Sequence, residues 1–284
     1  MTIRLPGIPA WDRCAVMGVV NVTPDSFSDG GRWFDTDAAI AHGLELIEQG
    51  ADLVDVGGES TRPGASRVEP EEEQRRVLPV IRSLVAAGAV VSIDTMNAET
   101  ADQALSAGAR IVNDVSGGRA DPRMTAVAAS ARVPFVVMHW RAHSAQMQQH
   151  TRYDDVVADV TEELLRQLDD AVAAGIDPED IIVDPGLGFS KTGEQNWELL
   201  AHLEAFTALG HPLLVAASRK RFLGDVLARD GVPRPTDERE DATVALSTLA
   251  ALADAWAVRV HAPRPSADAV RVVRRLREAE RLEQ

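Results

Sequence analysis

The sequence predicts a single-domain α/β chain closed into a (β/α)8, or TIM, barrel, and three observations carry that expectation. Short apolar runs recur over 16–20, 53–56, 90–93, 111–112, 135–138, 181–183, 213–217 and 257–260. Runs this short and this apolar read as strands buried on both faces, hence as a parallel sheet. Helical patterns alternate with them throughout, and the joint between helix and strand repeats. Gly50-Ala51-Asp52-Leu53-Val54 returns as Gly108-Ala109-Arg110-Ile111-Val112, a helix-terminating glycine followed at once by a strand. Finally, nearly every run ends in a polar residue, and the carboxyl ends of parallel strands are where such sheets keep their sites. An open doubly wound sheet is the alternative. It usually has fewer strands and one dominant glycine-rich phosphate loop, and no Gly-x-Gly-x-x-Gly follows the first run here.

The elements follow in order. After Asn21 a loop over 23–34 leads to a helical pattern over 36–49, stopped at Gly50. The second strand leads to a loop over 57–67 and a helix that begins at Glu69-Pro70 and ends at Gly88. The third strand leads to a helix over 98–107, stopped at Gly108, and the fourth to a helix from about Pro122. A polar loop and a long helix over 153–174, stopped at Gly175, follow the fifth. A helix over 195–209 follows the sixth, one near 239–254 the seventh, and one over 266–280 the eighth.

The chain has 284 residues, 45% of them hydrophobic, a normal size for one barrel. Its net charge of -15 repels nucleic acid and anionic membranes at long range, so an anionic substrate needs a local cationic pocket. The lone cysteine, Cys14, excludes an internal disulfide framework and any multi-cysteine metal site, and reads as a buried structural thiol. No apolar stretch approaches the roughly 18 residues that span a bilayer. Residues 1–12 lack a charged-then-apolar signal pattern, so the expected compartment is the cytoplasm.

The strand ends supply the chemistry. The loop from Asn21 through Phe27 to Gly31 is either a surface turn or a closing loop over a site. The Asn21 amide oxygen suits a hard cation such as Mg²⁺. Gly57 and Gly58 let backbone approach a ligand, and Arg62 can fork onto phosphate oxygens. Asp94, Asn113 and Asp184 end three separate strands. Each could cap a helix, but together they form a floor suited to a flat heterocycle with several donors. The carboxylates also favour a substrate that gains positive charge. Arg259 and His261 share one face of the last strand, as an anion site or as a salt bridge to a neighbouring acid. His139, alone after a strand, reads as a structural hydrogen-bond donor more readily than as a metal ligand. The C-terminal arginines form a solvated helix face.

Lysine usage is the sharpest single signal. Of 29 basic residues only Lys191 and Lys220 are lysines. Both fall in loops just beyond adjacent strands, where a compact point charge fits and a planar fork does not. Ser218, beside Lys220, can present its hydroxyl and backbone N–H to an anion.

These residues together resemble the dihydropteroate synthase family over nearly the whole chain. The motifs are Asn21–Gly31, Gly58–Gly64, Asp94, Asn113-Asp114, Met138-His139, Asp184–Phe189, Ser218-Arg219-Lys220 and Arg259–His261. The resemblance implies a barrel that joins 6-hydroxymethyl-7,8-dihydropterin diphosphate to 4-aminobenzoate, with Mg²⁺ as cofactor and a homodimer as the assembly. By carry-over the pterin meets Asp94, Asn113, Asp184 and Lys220, with Met138 and Phe189 packed on it. Diphosphate and Mg²⁺ meet Asn21, Arg62, Arg259 and His261. The aminobenzoate carboxylate meets Ser218 and the helix N-terminus after it, under Phe27, Thr61 and Pro63. Asp94, Asp184, Lys220 and Arg259 are the expected catalytic set. One departure is Ala262, where the family usually has Asp after the last-strand histidine. A pterin-dependent methyltransferase of the same barrel type and a non-catalytic pterin-binding paralogue are the alternative functions.

Overall fold

The computed structural model describes residues 4–23, 36–59, 67–143 and 145–282. Strand β1 (Ala15–Asn21) is followed by α1 (Thr36–Glu48), β2 (Leu53–Gly57) by α2 (Pro70–Ala86), β3 (Val91–Asp94) by α3 (Ala98–Ser106), and β4 (Ile111–Asp114) by α4 (Met124–Ala131). Strand β5 (Phe135–Met138) leads to α5 (Val156–Ala173), and β6 (Ile181–Asp184) to α6 (Gly193–Ala201) and α7 (Leu203–Thr207). Strand β7 (Leu214–Val215) leads to α8 (Arg221–Val226) and α9 (Glu240–Leu252), and β8 (Ala257–Val260) to α10 (Pro263–Leu282). Sequence neighbours pair in parallel from β1 to β6, β7 pairs with β8, and β8 returns to β1 with Met17 beside Arg259. A parallel bridge between Val183 and Leu213 links β6 to β7 and completes the ring.

The expected barrel is therefore present, with helices outside and strands inside. Gly50 and Gly108 hold φ of 100° and 106°, backbone that a side chain would strain, so each ends its helix and releases the next strand. Cys14 is buried and unpaired, as a structural thiol should be.

Three elements differ from the sequence reading. The expected helix over 195–209 starts earlier and is broken. Thr192 and Gln195 form a reciprocal cap that starts α6 at Gly193, and His202, its ring bonded to the Glu198 carbonyl at 2.9 Å, separates α6 from α7. Strand β7 keeps only two residues of the expected run over 213–217, and a left-handed turn at Arg219, φ 58°, follows it. Helix α8 begins just after Ser218, where a helix N-terminus was expected, but its extent was not read; six residues give too little period to detect.

Alternation along the strands sorts the interior into two halves. Met17, Leu53, Ile111, Val136, Ile182, Leu214 and Ala257 join in one dry cluster at the lower end. Two residues further along the same strands, on the same inward face, stand Asp55, Asn113, Met138, Asp184 and Arg259.

Candidate active site

Arg259 is the hub of the upper half. Its Nε donates to Asp55 Oδ2 at 2.7 Å and its Nη2 to Asp94 Oδ2 at 2.7 Å. Asn113 Nδ2 donates to the same Asp55 oxygen at 2.8 Å. Four side chains from β2, β3, β4 and β8 thus meet across the barrel mouth. Of the two readings the sequence allowed for Arg259, this arrangement is the salt bridge to neighbouring acids. Burial pushes the Asp94 carboxyl up to about 7, against the pull of Arg259. Burial works against the Arg259 charge, but Asp55 and Asp94 raise its affinity for the proton. Asn97, not Asp94, caps α3, and Asp114 holds the turn after β4, accepting from Ser116 N–H, Ser116 Oγ and Gly118 N–H.

Across from this hub, Asp184 Oδ1 accepts from Gly186 N–H at 2.7 Å. Burial raises its carboxyl, and nearby Lys220 opposes that. Lys220 donates to the Leu187 carbonyl and stands 4.7 Å from the Phe189 ring centroid. Burial lowers the Lys220 ammonium to about 8, with Asp184 opposing. Between the two groups Met138, Met96 and Val115 form a small buried cluster, with Phe189 and Trp140 packed against it. The result is a carboxylate-amide floor beside an apolar wall, which suits a flat, hydrogen-bonding ring.

On the rim, Ser218 Oγ lies 3.0 Å from His261 Nδ1 and accepts from His261 N–H at 3.2 Å. Left-handed Arg219 turns its own side chain out to Glu240 at 2.9 Å, so Ser218 and Lys220 belong to the mouth and Arg219 does not. Asn21 ends β1, half-buried, beside Gly57 in register. No group of three or more His, Cys, Asp or Glu side chains among the described residues could hold a metal. Asn21 offers one hard amide oxygen, a donor of the kind that suits Mg²⁺.

The sequence profile of the pterin binding enzyme family matches residues 17–261. The chain belongs to this family. It is 56% identical over 260 residues to the dihydropteroate synthase of Mycobacterium leprae (strain TN), covering 91% of this chain and 92% of that one. Its fold is similar to that of Xanthomonas albilineans dihydropteroate synthase with 4-aminobenzoic acid, at TM-score 0.90 and 44% identity, covering 98% of this chain and 99% of that one. A structure of the Xanthomonas albilineans enzyme in complex with 7,8-dihydropteroate matches at TM-score 0.85 and 41% identity, with the same coverage of 98% and 99%.

Within this pterin-binding fold the structure brings together Asp94, Asn113 and Arg259, and separately Asp184, Lys220, Phe189 and Met138. It pairs Ser218 with His261. Phe27, Thr61, Arg62 and Pro63 lie outside the described residues. The pocket's central carboxylate, Asp55, lies inside an apolar run and not at its end, so it is absent from the set expected from sequence. The signal was present: a lone charge inside Leu53-Val54-Asp55-Val56, on the inward parity of Leu53. Gly57 and Gly58 serve packing: added Cβ atoms would lie 3.3 Å from Asp94 Cβ and 2.9 Å from Val77 Cγ1. His139 is fully buried, with Nε2 2.9 Å from Glu163 and Nδ1 2.9 Å from Lys191 Nζ. That is the structural bonding role the sequence favoured for it.

Proposed function

We infer that the protein is a dihydropteroate synthase, a transferase of folate biosynthesis. It condenses 6-hydroxymethyl-7,8-dihydropterin diphosphate with 4-aminobenzoate to give 7,8-dihydropteroate and diphosphate. The observation that carries this reading is one mouth holding a buried carboxylate-amide floor, an apolar wall, and two partly buried cations, Arg259 and Lys220, in a chain of net charge -15.

The pterin ring lies on Asp94, Asn113, Asp184 and Lys220, against Met138 and Phe189. The bond that breaks joins the pterin methylene carbon to the diphosphate oxygen. Its electron pair leaves with diphosphate, and positive charge spreads into the ring. Asp94 and Asp184, already desolvated, are preorganised to favour that charge. Arg259 and His261 receive the departing anion, which gives Arg259 a partner other than Asp94. The aniline nitrogen is a weak nucleophile, so it attacks after the methylene has become electron-poor, and it gives up one proton to form the product. Ser218 meets its carboxylate together with Phe27, Thr61 and Pro63, and Arg62 joins Arg259 and His261 on the diphosphate. Asn21 is the residue that would hold Mg²⁺, whose contribution when bound is to neutralise charge on the diphosphate.

The same proposal includes a homodimer in the cytoplasm. Leu249 and Leu252 of α9 and Val272 and Leu276 of α10 are about half exposed, an apolar face of the kind that a second copy covers. None of the described helices is long and apolar enough to cross a membrane. Sulfonamides, which also carry an aniline, compete at the aminobenzoate position in this reading.

The deciding experiment is diphosphate release measured with pterin diphosphate, 4-aminobenzoate and Mg²⁺, each omitted in turn. Release is expected only when all three are present. Pterin binding without release would identify a non-catalytic paralogue instead.

A further inference from the structure

Lys191 plays no part in the reaction just described, yet it is one of the two lysines in the chain and is 3% exposed. Its ammonium donates to the Gly186 carbonyl at 3.0 Å and the Phe189 carbonyl at 3.1 Å, and contacts His139 Nδ1 at 2.9 Å. Three tetrahedral donors meet three acceptors. For the ammonium to donate to Nδ1, the His139 proton must sit on Nε2, where it is donated to Glu163. Glu163 in turn takes two bonds from Arg141. Burial opposes charge on Glu163, but His139 and Arg141 hold its carboxyl well below the usual range.

The loop these groups hold, 185–190, has no helix or strand of its own. Its successive peptides are nonetheless fastened one by one. Gly186 and Phe189 accept from Lys191, Leu187 accepts from Lys220, Gly188 N–H donates to Asn196 at 2.6 Å, and Ser190 accepts from Tyr153 Oη at 3.0 Å. The fit is tight from behind: a Cβ on Gly186 would lie 2.4 Å from the His139 carbonyl oxygen. The front of the loop carries the pocket, because Gly186 N–H orients the Asp184 carboxylate and Phe189 flanks Lys220.

We propose that Lys191, backed by His139 and Glu163, is a positioning residue that sets the pterin pocket from behind by fixing the loop after β6. The two lysines divide the work: Lys220 faces the ring, and Lys191 holds the backbone that shapes the same pocket. A pinned loop orders less on binding, so the ring is held more tightly. The proposal rests on the synthase reading, and the test separates the two.

Binding of 6-hydroxymethyl-7,8-dihydropterin diphosphate is measured by calorimetry for wild type, Lys191→Met, Lys191→Arg, His139→Leu and His139→Gln, beside KM for each substrate and thermal unfolding. If wild type does not bind, the synthase reading falls. With wild-type binding established, Lys191→Met is expected to lose affinity by roughly tenfold to a hundredfold, as a misplaced pocket should, with a smaller change in KM for 4-aminobenzoate. Lys191→Arg stays impaired, since a planar fork cannot reach the three acceptors. His139→Gln, which can offer an amide oxygen to Lys191 and an N–H to Glu163, recovers most of what His139→Leu loses. Wild-type pterin affinity in Lys191→Met, or rescue by Lys191→Arg, overturns the proposal. Should Lys191→Met fail to fold, equal pterin affinities for His139→Leu and His139→Gln overturn it as well.

Discussion

The lower and upper halves of the barrel interior are built on the same strands, in the same register, one alternation apart. The lower half is dry: Met17, Leu53, Ile111, Val136, Ile182, Leu214 and Ala257 fill it. The upper half puts Asp55, Asn113, Asp184 and Arg259 on the same inward face. The difference shows how stability and chemistry are separated in this chain. Apolar layers hold the ring closed, and the polar layer above them is desolvated by that closure.

Breaking the upper half should affect both properties. Arg259→Met leaves Asp55 and Asp94 buried beside each other without their cation. Loss of a buried partner costs about 3–5 kcal/mol, read by urea unfolding at pH 8. The loss is smaller at pH 6, because burial already raises Asp94 to about 7 and a protonated Asp94 no longer repels Asp55. Diphosphate release should fall roughly a hundredfold. Breaking the lower half should affect one property only. Met17→Ala removes a fully buried side chain four residues from Asn21 and should cost about 2–5 kcal/mol in the same assay. Its KM for both substrates should stay at the wild-type value, and a raised KM would show the two halves to be coupled.

A finer test keeps the charge and changes only its shape. Lys220 threads a narrow gap, with its Cδ 2.7 Å from where a Cβ on Gly188 would stand. Lys220→Arg preserves a cation beside Asp184 but needs more width. Pterin affinity is expected to fall roughly tenfold, about 1.4 kcal/mol, with stability little changed. Unchanged pterin binding would sink the argument that only a point charge fits here.

Much of this was legible in the sequence, for physical reasons. A strand buried on both faces must be short and wholly apolar, and a helix that feeds it must stop on glycine, so the barrel shows as a rhythm. Asp94, Asn113, Asp184 and Arg259 were visible because they interrupt that rhythm at the strand ends. Asp55 was harder, since it sits inside a run and is held there by Arg259 and Asn113, far away in sequence, which both donate to its Oδ2. Glu163 gave no signal: it follows Glu162 on an outer helix, and nothing local says which of the two meets His139. The left-handed turn at Arg219, between β7 and α8, is a conformation no composition encodes.

The last effect concerns pH, and it again divides the molecule. The lower cluster has no titrating side chain, so pH acts near the upper end of the strands. Glu73, on α2 beneath Gly58, is 3% exposed. Burial pushes its carboxyl up to about 6, against hydrogen bonds from Thr95 and Thr100; Glu59 adds to the rise and Arg67 opposes it. A carboxyl raised on folding stabilises the fold fully below its unfolded value, and that stability is lost as pH rises through the folded one. Between pH 4.5 and pH 7 wild type should therefore lose up to about 2 kcal/mol relative to Glu73→Gln. The glutamine keeps an acceptor for Thr100 and has no charge to bury, so its own slope over that window should be shallower. Asp94 and Asp114, raised by burial to about 7 and about 6, remain in both proteins and supply a common background. Unfolding curves taken across the window measure the difference directly. Identical slopes would remove Glu73 from the account.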